Sequence, residues 1–332
     1  MSKPFTVMVT GGAGYIGSHA VLALRDAGWP VVVVDNLVTG FRSAVPDDVA
    51  FVQADVAETE AMIAVIADHG VGAILHFAGS LLVPESVSDP LKYYRNNTAS
   101  SRALIEAAVT AGVKHFVFSS TAATYGVPES VPIAEGAPKQ PINPYGRSKL
   151  MTEEILSDTA RAHPLNYCAL RYFNVAGADP QGRAGQSTRG ATHLIHVAVE
   201  AATGKRDHVG VYGTDYATPD GTGVRDYIHV SDLADAHVHA LDHLIAHPTE
   251  CLTLNCGYGH GYSVLQVLDT VDRVTNMKID RRLEGRRAGD PDELVADNGR
   301  ILATLPWRPK HDDLAGIVAD ALAWERKLAL QG

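Results

Sequence analysis

The chain has 332 residues, 46% hydrophobic and 20% charged, which is ordinary for a globular protein of one large or two modest domains. Its formal net charge of −10, without a long basic block, disfavours nucleic acid and anionic membrane as partners. Cys168, Cys251 and Cys256 are too irregularly spaced for a disulfide framework or a zinc site, and the N-terminus lacks an apolar signal region, so we expect a cytoplasmic protein.

The first predicted element is a buried strand that runs into a glycine-spaced turn. Phe5–Thr10 is apolar and rich in β-formers, and the motif Gly11-Gly-Ala-Gly14-Tyr-Ile-Gly17 follows it directly. Gly11 permits the tight turn, Gly14 lets the backbone approach a pyrophosphate, and Gly17 lets the next helix pack on the strand. On its own, such a motif is equally compatible with a flexible turn that binds nothing.

A second buried strand, Val31–Asp35, ends in an acidic residue. Asp35 lies about 20 residues after Gly14, the position at which a carboxylate binds the adenine ribose hydroxyls and repels a 2′-phosphate. Arg42 is displaced from the strand end and weakens this interpretation only slightly. A capping aspartate is the alternative, but with the glycine turn in register the sequence favours NAD over NADP.

Strands and helices continue to alternate up to residue 173. This alternation predicts right-handed crossovers and a Rossmann-type, doubly wound parallel sheet covered on both faces, the fold class α/β. The further predicted strands are Phe51–Val56, Ala73–Phe77, His115–Ser120 and Tyr167–Phe173, with helices near 57–69, 91–111 and 145–162. Since ligands bind at the carboxyl ends of such strands, the residues at those ends are expected to share one crevice.

Tyr145 and Lys149 stand four residues apart on a predicted helix that starts near Pro144. This spacing places both side chains on one helix face. An ammonium beside a phenol is expected to lower the pKa of Tyr145 and make it a general acid/base for a substrate hydroxyl. Thr121, at the end of the fifth strand, can hold the same substrate oxygen. Such a pair also occurs by chance on exposed helices, so its weight comes from the motifs around it.

The 15 histidines show no spacing typical of a metal site. His239 and His243 are four residues apart, a spacing that can bind an ion, yet no carboxylate or cysteine completes a site in the sequence. We expect these residues and the neighbouring His237 on a solvated helix surface, and we expect no metal.

The glycine motif, the strand-five hydroxyl and the Tyr-x-x-x-Lys pair resemble those of extended short-chain dehydrogenase/reductases. Arg171–Asn174, the stretch from Tyr212 to Ala234 and Arg286–Asp290 further resemble the UDP-glucose (UDP-galactose) 4-epimerases. The resemblance implies an isomerase that interconverts UDP-galactose and UDP-glucose with tightly bound NAD. C4 hydride abstraction would be followed by rotation of the 4-keto sugar and return of hydride and proton to its opposite face.

The resemblance also implies site residues, position by position. Thr121, Tyr145 and Lys149 match the catalytic trio. Tyr145 and Lys149 also match NAD contacts, as do Gly11, Gly14, Tyr15, Ile16, Asp35, Asn36, Asp55, Val56, Phe77, Ala78, Gly79, Asn96, Ser119, Tyr172 and Phe173. Thr121 and Tyr145 also match the nucleotide-sugar site, together with Asn174, His193, Leu194, Tyr212, Arg225, Arg287, Asp290 and Leu294.

Four positions bear on which reaction and sugar the chain takes. Related dehydratases and decarboxylases carry an acidic residue just after the strand-five hydroxyl, whereas Ala122 follows Thr121 here, which favours epimerisation. Leu81 stands where many members have lysine, and His193 where others have asparagine. Leu294, at the position thought to gate sugar size, is smaller than tyrosine and larger than cysteine or serine, which leaves N-acetylated sugars open.

Two domains are expected. Residues 1–173 form an NAD-binding Rossmann domain, which a later segment near 224–250 rejoins through a strand around 224–230, and 174–332 form mainly a smaller α/β lobe for the nucleotide sugar. The family implies a homodimer through the helices near 91–111 and 145–162, although their apolar residues are equally suited to the core; these are Leu104, Ile105, Val109, Leu150, Ile155 and Leu156.

Two alternatives stay open at this point. A C4 epimerase of another UDP sugar, such as UDP-GlcNAc/GalNAc, a pentose or a uronate, would share every motif. A non-catalytic NAD-binding regulator is the other, but such proteins typically lose the tyrosine or the lysine, and this chain has both.

Overall fold

Seven parallel strands form the central sheet in the residues that the computed structural model describes, 3–188, 190–287 and 290–331. They lie in the order β7-β6-β5-β4-β1-β2-β3, so the order reverses at β1, and the predicted fold class is confirmed. The strands are β1 Thr6–Thr10, β2 Val31–Asp35, β3 Ala50–Gln53, β4 Val71–His76, β5 His115–Thr121, β6 Asn166–Tyr172 and β7 Leu252–Cys256.

Helices cover both faces of this sheet. The helices of the described residues, including those of the second lobe, are α1 Tyr15–Asp26, α2 Thr59–His69, α3 Val83–Ser88, α4 Pro90–Tyr93, α5 Ser100–Thr110, α6 Pro144–Ala162, α7 Leu194–Ala202, α8 Val230–Ala246, α9 Val264–Thr275, α10 Gly299–Thr304 and α11 Leu314–Gln331. Short 3₁₀ turns cover Arg42–Ala44 and Ala122–Thr124. Among the helices described, none combines the length and the apolar character needed to cross a bilayer.

The helix predicted near 91–111 is confirmed as one uninterrupted helical run over 90–110, but it is not α-helical throughout. It comprises α4, a π-helical turn over Tyr94–Ala99 and α5. A π turn is an extra-wide turn that often appears at functional sites, and this one carries Asn96 and Asn97 towards the loop that follows β4.

The sheet is buried on both faces, as the apolar strands predict. Along β1, Met8 faces the core layer under α2, α5 and α6, while Val7 and Val9 face the opposite layer with α1 and α8. The apolar side chains considered for a dimer interface mostly belong to the first layer. Within it Leu104, Ile105 and Leu156 are buried and Val109 and Ile155 are partly buried, while Leu150 is half-buried on α6.

In the part of the second lobe that the structure describes there are three small sheets. Asn174–Ala176 pairs with Tyr227–His229, and Val209–Tyr212 pairs with Arg281–Glu284. The third is formed by Val224–Arg225, Tyr262–Ser263 and Glu293–Leu294. Ala288 and Gly289 of the Arg286–Asp290 motif lie outside the described residues.

The sequence predicts that a strand around 224–230 rejoins the central sheet, and this prediction is wrong. The strand that extends the sheet is β7, which lies beside β6. Asp226 explains the difference, because its buried carboxylate accepts the backbone N–H groups of Tyr258, Gly259 and Ala296 and so holds this segment in the second lobe. Helix α8, which follows the segment, packs against α1, β5 and β6.

Candidate active site

The glycine turn lies between β1 and α1 at the carboxyl edge of the sheet. Gly11 has φ +71°, and a Cβ on Gly17 would lie 2.1 Å from the carbonyl oxygen of Gly11, so the turn and the helix require glycine at both positions. Gly14 is the N-cap of α1 and contributes no side-chain acceptor, and Tyr15 and Ile16 form the first helical turn. Their N–H groups and the positive end of the helix dipole therefore suit a phosphate group.

Asp35 is buried at the end of β2, beside this turn. One carboxylate oxygen accepts the N–H of Ala13 at 2.9 Å, and the other accepts the N–H of Leu37 at 2.8 Å. Each oxygen keeps a second lone pair for a ribose hydroxyl, so the capping and ligand-binding interpretations are compatible. Asn36 donates to Asp55 at 3.3 Å, which links the ends of β2 and β3.

The segment after β4 touches the glycine turn. The N–H of Phe77 donates to the carbonyl of Thr10 at 2.9 Å, and a Cβ on Gly11 would lie 2.6 Å from the backbone nitrogen of Ala78. Val56 is buried in the core beneath this edge. The predicted residues at the ends of β1 to β4 thus surround one crevice.

Gly79 and Ser80 continue this loop and meet the π turn. Asn97, which is buried, accepts the N–H of Ser80 at 2.7 Å and donates to its carbonyl at 3.0 Å. Asn96, the predicted NAD contact, donates to the Ser80 hydroxyl at 3.1 Å. A Cβ on Gly79 would lie 2.9 Å from the side-chain oxygen of Asn97 and 3.7 Å from Nζ of Lys149, so the loop lies against the catalytic helix.

Helix α6 brings the predicted catalytic residues together. The side chain of Asn143 caps the helix by accepting the N–H of Gly146 at 2.8 Å. A Cβ on Gly146 would lie 2.4 Å from the carbonyl oxygen of Ala123, so the helix starts in direct contact with the turn after β5. This close approach brings the start of α6 to the end of β5, where the Thr121 hydroxyl lowers the pKa of the Tyr145 phenol.

The prediction that Lys149 lowers the pKa of Tyr145 is wrong for the protein alone. Burial raises the pKa of Tyr145, and the hydrogen bond with Thr121 offsets this only in part. Nζ of Lys149 instead donates to the carbonyl of Ser119 at 3.0 Å and lies 5.0 Å from the ring centroid of Phe118. Burial also lowers the pKa of Lys149 itself to about 8.

The end of β6 completes the wall of the crevice. The hydroxyls of Ser119 and Tyr172 share a hydrogen bond, and burial raises the pKa of Tyr172. Phe173 is buried and packs in a small cluster with Ala122, and Leu294 of the second lobe packs against that cluster.

Five predicted nucleotide-sugar residues lie together in the second lobe. Arg225 donates to Asp290 at 2.6 Å, and Leu294 is its partner on the neighbouring strand. The guanidinium of Arg287 lies 3.8 Å from the ring centroid of Tyr212, a cation–π stack on an exposed ring. These side chains place two arginines and one accessible aromatic face in the same lobe.

The remaining predicted nucleotide-sugar residues lie at the start of a strand and of a helix in the second lobe. Asn174 begins the strand after β6, and Leu194 is the first residue of α7, with His193 as its N-cap. Burial lowers the pKa of His193 to about 4, so its ring is neutral near pH 7. His193 lines a small cavity with Tyr15, whose hydroxyl donates to the carbonyl of Gly177 at 2.7 Å. Tyr15 therefore offers a dinucleotide its backbone rather than its hydroxyl.

The histidines of α8 differ from the prediction of a solvated surface. His237 is fully buried because α8 packs on the sheet, and its ring lies 4.7 Å from that of Phe77. His243 does have a carboxylate partner, since its Nε2 lies 2.9 Å from Glu250, and only 11% of its side chain is exposed. His239 lies 3.7 Å from Asp235.

Sequence reasoning missed several polar residues beneath the site. Asn97 joins the loop after β4 to α6 by donating to the hydroxyl of Ser148 at 3.1 Å. Glu153 and Arg171 form a buried ion pair behind the catalytic residues. Arg171 belongs to the stretch Arg171–Asn174 on which the family resemblance rests. Its partner on α6, Glu153, is not part of any local sequence motif.

Known proteins of one family match most of this chain. The model of the NAD dependent epimerase/dehydratase family matches residues 7–257. The chain is 57% identical to a UDP-glucose 4-epimerase of Azospirillum brasilense over 322 residues, 97% of this chain and 92% of that protein.

Solved structures of similar proteins extend the comparison. A UDP-glucose 4-epimerase from Stenotrophomonas maltophila, with bound NAD and formylated UDP-arabinopyranose, has a TM-score of 0.95 at 39% identity, covering 99% of this chain and 100% of that one. The enzyme from Brucella ovis in complex with NAD has a TM-score of 0.93 at 44% identity, covering 96% and 98% of the two chains.

Proposed function

Since the chain belongs to the NAD dependent epimerase/dehydratase family, we propose that it is an isomerase that interconverts UDP-galactose and UDP-glucose with tightly bound NAD. The proposal is supported mainly by one observation: Thr121, Tyr145 and Lys149 lie close together beside the glycine turn, at one edge of the sheet. The reaction is supported by relatives of this activity that match nearly the whole chain, and the cofactor by the NAD bound in similar structures.

The residues at this edge fit NAD. The first turn of α1 has no side-chain cap, so its N–H groups are available for the pyrophosphate, and the glycines let the turn pack tightly between α1 and the loop after β4. Asp35 would hold the adenine ribose and Lys149 the nicotinamide ribose. When bound there, NAD would supply the hydride chemistry, accepting the hydride from C4 and giving it back to the other face of the 4-keto sugar.

Two side chains would act on the sugar, and a third would hold the cofactor. Thr121 holds the 4-oxygen through the hydroxyl that also reaches Tyr145, and Tyr145 takes and returns the proton of the 4-hydroxyl. Lys149 uses one N–H on the carbonyl of Ser119, which leaves two for ribose hydroxyls. Ala122 and Ala123 offer no acid beside Thr121, so elimination chemistry has no proton donor there.

The second lobe supplies the groups that a UDP sugar requires. Arg225 and Arg287 would bind the diphosphate, because a guanidinium pairs with phosphate through two parallel hydrogen bonds. Asp290 keeps Arg225 oriented through the contact at 2.6 Å. His193, Leu194 and Asn174 would lie along the nucleotide and Leu294 beside the hexose, as the resemblance implies.

Organisation and location belong to the same proposal. We propose that residues 1–173, with α8 and β7, form the NAD-binding domain, and that the rest of 174–332 forms the sugar-nucleotide lobe. A homodimer through the α5–α6 face would use the half-buried and exposed side chains of these helices, such as Leu150 and Met151, because Leu104 and Leu156 are already buried. The three free cysteines suit the cytoplasm.

The test is incubation of the purified protein with UDP-galactose, without added NAD, followed by chromatography of the sugar nucleotides. UDP-glucose should appear, and Tyr145→Phe should abolish the conversion while the protein still contains NAD. No conversion by a protein that releases NAD on denaturation would refute this reaction and favour another nucleotide sugar.

A further inference from the structure

A buried ion pair lies directly behind the catalytic residues and takes no part in the proposed proton transfers. Glu153 and Arg171 expose only 5% and 2% of their surface. Nε of Arg171 donates to one carboxylate oxygen at 2.9 Å and Nη2 donates to the other, so the pair is bidentate. Desolvation makes such a pair a poor source of stability compared with apolar packing, so stability alone does not account for it.

The pair joins the elements that present the catalytic groups. Glu153 lies on α6 one helical turn after Lys149 and two turns after Tyr145, and its carboxylate accepts a hydrogen bond from the hydroxyl of Ser120 on β5. Ser120 immediately precedes Thr121. The carboxylate therefore ties the helix that carries the phenol and the ammonium to the strand end that carries the hydroxyl.

Arg171 extends the connection to the neighbouring strands and to the second lobe. Its Nη1 donates to the hydroxyl of Tyr125 at 3.0 Å, and Tyr125 donates to the side chain of Asn255 on β7 at 2.6 Å. Asn255 in turn donates to the carbonyl of Ile133 at 2.7 Å. The N–H of Ile133 bonds to the carbonyl of Val295, the residue after Leu294, at 2.9 Å. One buried network thus reaches from α6 to the wall of the sugar site.

We propose that Glu153 and Arg171 are positioning residues that set the spacing between α6 and the end of β5, and so the contact of Tyr145 with Thr121. This inference rests on the proposed epimerase function, because it assigns the pair to that same site. Proton transfer needs the donor and acceptor within hydrogen-bond reach, and a displacement of about 1 Å at a catalytic group can cost about 100-fold in rate. No step requires either residue to touch the substrate.

The test compares Glu153→Gln with Asp272→Asn. Glutamine keeps the shape of Glu153 but removes its charge and turns an N–H towards the guanidinium. Asp272 is the matched control, because its carboxylate binds Arg281 and the N–H of Ile279 in the second lobe. Expressed per NAD-containing protein, kcat should fall about 10- to 100-fold in Glu153→Gln with KM changed less than about threefold, whereas Asp272→Asn should keep kcat within about threefold.

A double variant separates positioning from packing. Arg171→Met with Glu153→Leu replaces the pair by apolar side chains, a change that often restores stability. If the double variant regains the wild-type melting temperature but not kcat, positioning is supported. Recovery of kcat together with stability, or a kcat of Glu153→Gln within threefold of wild type, would overturn the inference.

Retention of NAD gives a readout that does not depend on turnover. A displaced α6 should weaken the hold of Lys149 on the cofactor, so Glu153→Gln should release NAD faster during gel filtration than wild type and Asp272→Asn do. Equal retention in all three proteins contradicts the inference. A wild-type protein that leaves UDP-galactose unchanged contradicts the proposed function instead, and in that case the comparison of NAD retention alone decides between positioning and its absence.

Discussion

Buried Lys149 should lower the stability of the folded protein, and the variant Lys149→Met should therefore have a higher free energy of unfolding. Lys149 is buried, and its pKa falls from 10.5 to about 8. This shift corresponds to a cost of about 3 kcal/mol for keeping the ammonium in the folded protein at pH 7. Methionine has a similar length and no charge. It loses the hydrogen bond to the Ser119 carbonyl, worth about 1 kcal/mol, so the variant should gain about 2 kcal/mol in free energy of unfolding.

The pH dependence identifies the cause. Below pH 8, Lys149 is protonated in both the folded and unfolded states, so the folded state bears the full cost. Between about pH 8 and 10.5 the folded state loses this proton first, the unfolded state holds more protons, and wild-type stability rises with pH relative to the variant. The advantage of Lys149→Met should therefore be largest at pH 7 and disappear by about pH 10, where the remaining cost of the buried ammonium no longer exceeds the roughly 1 kcal/mol of the lost hydrogen bond.

The assay is urea denaturation of the NAD-free proteins at pH 7, 8.5 and 10. The exposed Lys278 supplies a control, because Lys278→Met should change the free energy of unfolding by less than about 0.5 kcal/mol at every pH. Epimerase activity of Lys149→Met should fall at least about 100-fold despite its greater stability. A variant that is less stable than wild type by the same amount at all three pH values would refute the reasoning.

Three further substitutions test separate parts of the site. Gly17→Ala should lower the NAD content measured after denaturation to near zero, because its Cβ would lie 2.1 Å from the carbonyl oxygen of Gly11; normal NAD content would contradict the packing described. Arg287→Ala should weaken UDP binding in calorimetry about 10- to 100-fold through a lost charge-assisted hydrogen bond, and an unchanged Kd would exclude Arg287 from the diphosphate site. Leu294→Tyr should lower kcat/KM for UDP-N-acetylgalactosamine about tenfold more than for UDP-galactose, since one lost or clashing contact is worth about 1–3 kcal/mol; equal effects on both sugars would show that this side chain does not contact the N-acetyl group.

The parts of the site that follow from sequence are those encoded locally. The glycine turn depends on residues within a few positions of Gly14, and the Tyr145–Lys149 pair depends only on helical spacing. Both are confirmed as local structures, and the parallel sheet that brings them together follows from the alternation of strands and helices.

The parts that sequence could not supply depend on partners far apart in the chain. Glu153 lies on α6 and Arg171 on the following strand, β6. Tyr125 bonds to Asn255 across 130 positions of the chain. The strand that extends the sheet, β7, also lies beyond the segment around 224–230 that the sequence favours, because the buried carboxylate of Asp226 holds that segment elsewhere. None of these contacts between distant residues produces a recognisable pattern along the chain.

The electrostatics of Tyr145 explain why its action as a base should depend on the bound cofactor. In the protein alone, burial raises the pKa of Tyr145, the Thr121 hydroxyl is the one described contact that lowers it, and the charge of Lys149 is directed to the Ser119 carbonyl. A phenolate at neutral pH therefore requires additional positive charge close to the ring, and the oxidised nicotinamide carries such a charge. If the nicotinamide ring lies in the crevice, Tyr145 becomes a base only while the cofactor is bound and oxidised. Proton abstraction by Tyr145 is then coupled to the state of the cofactor that can accept hydride.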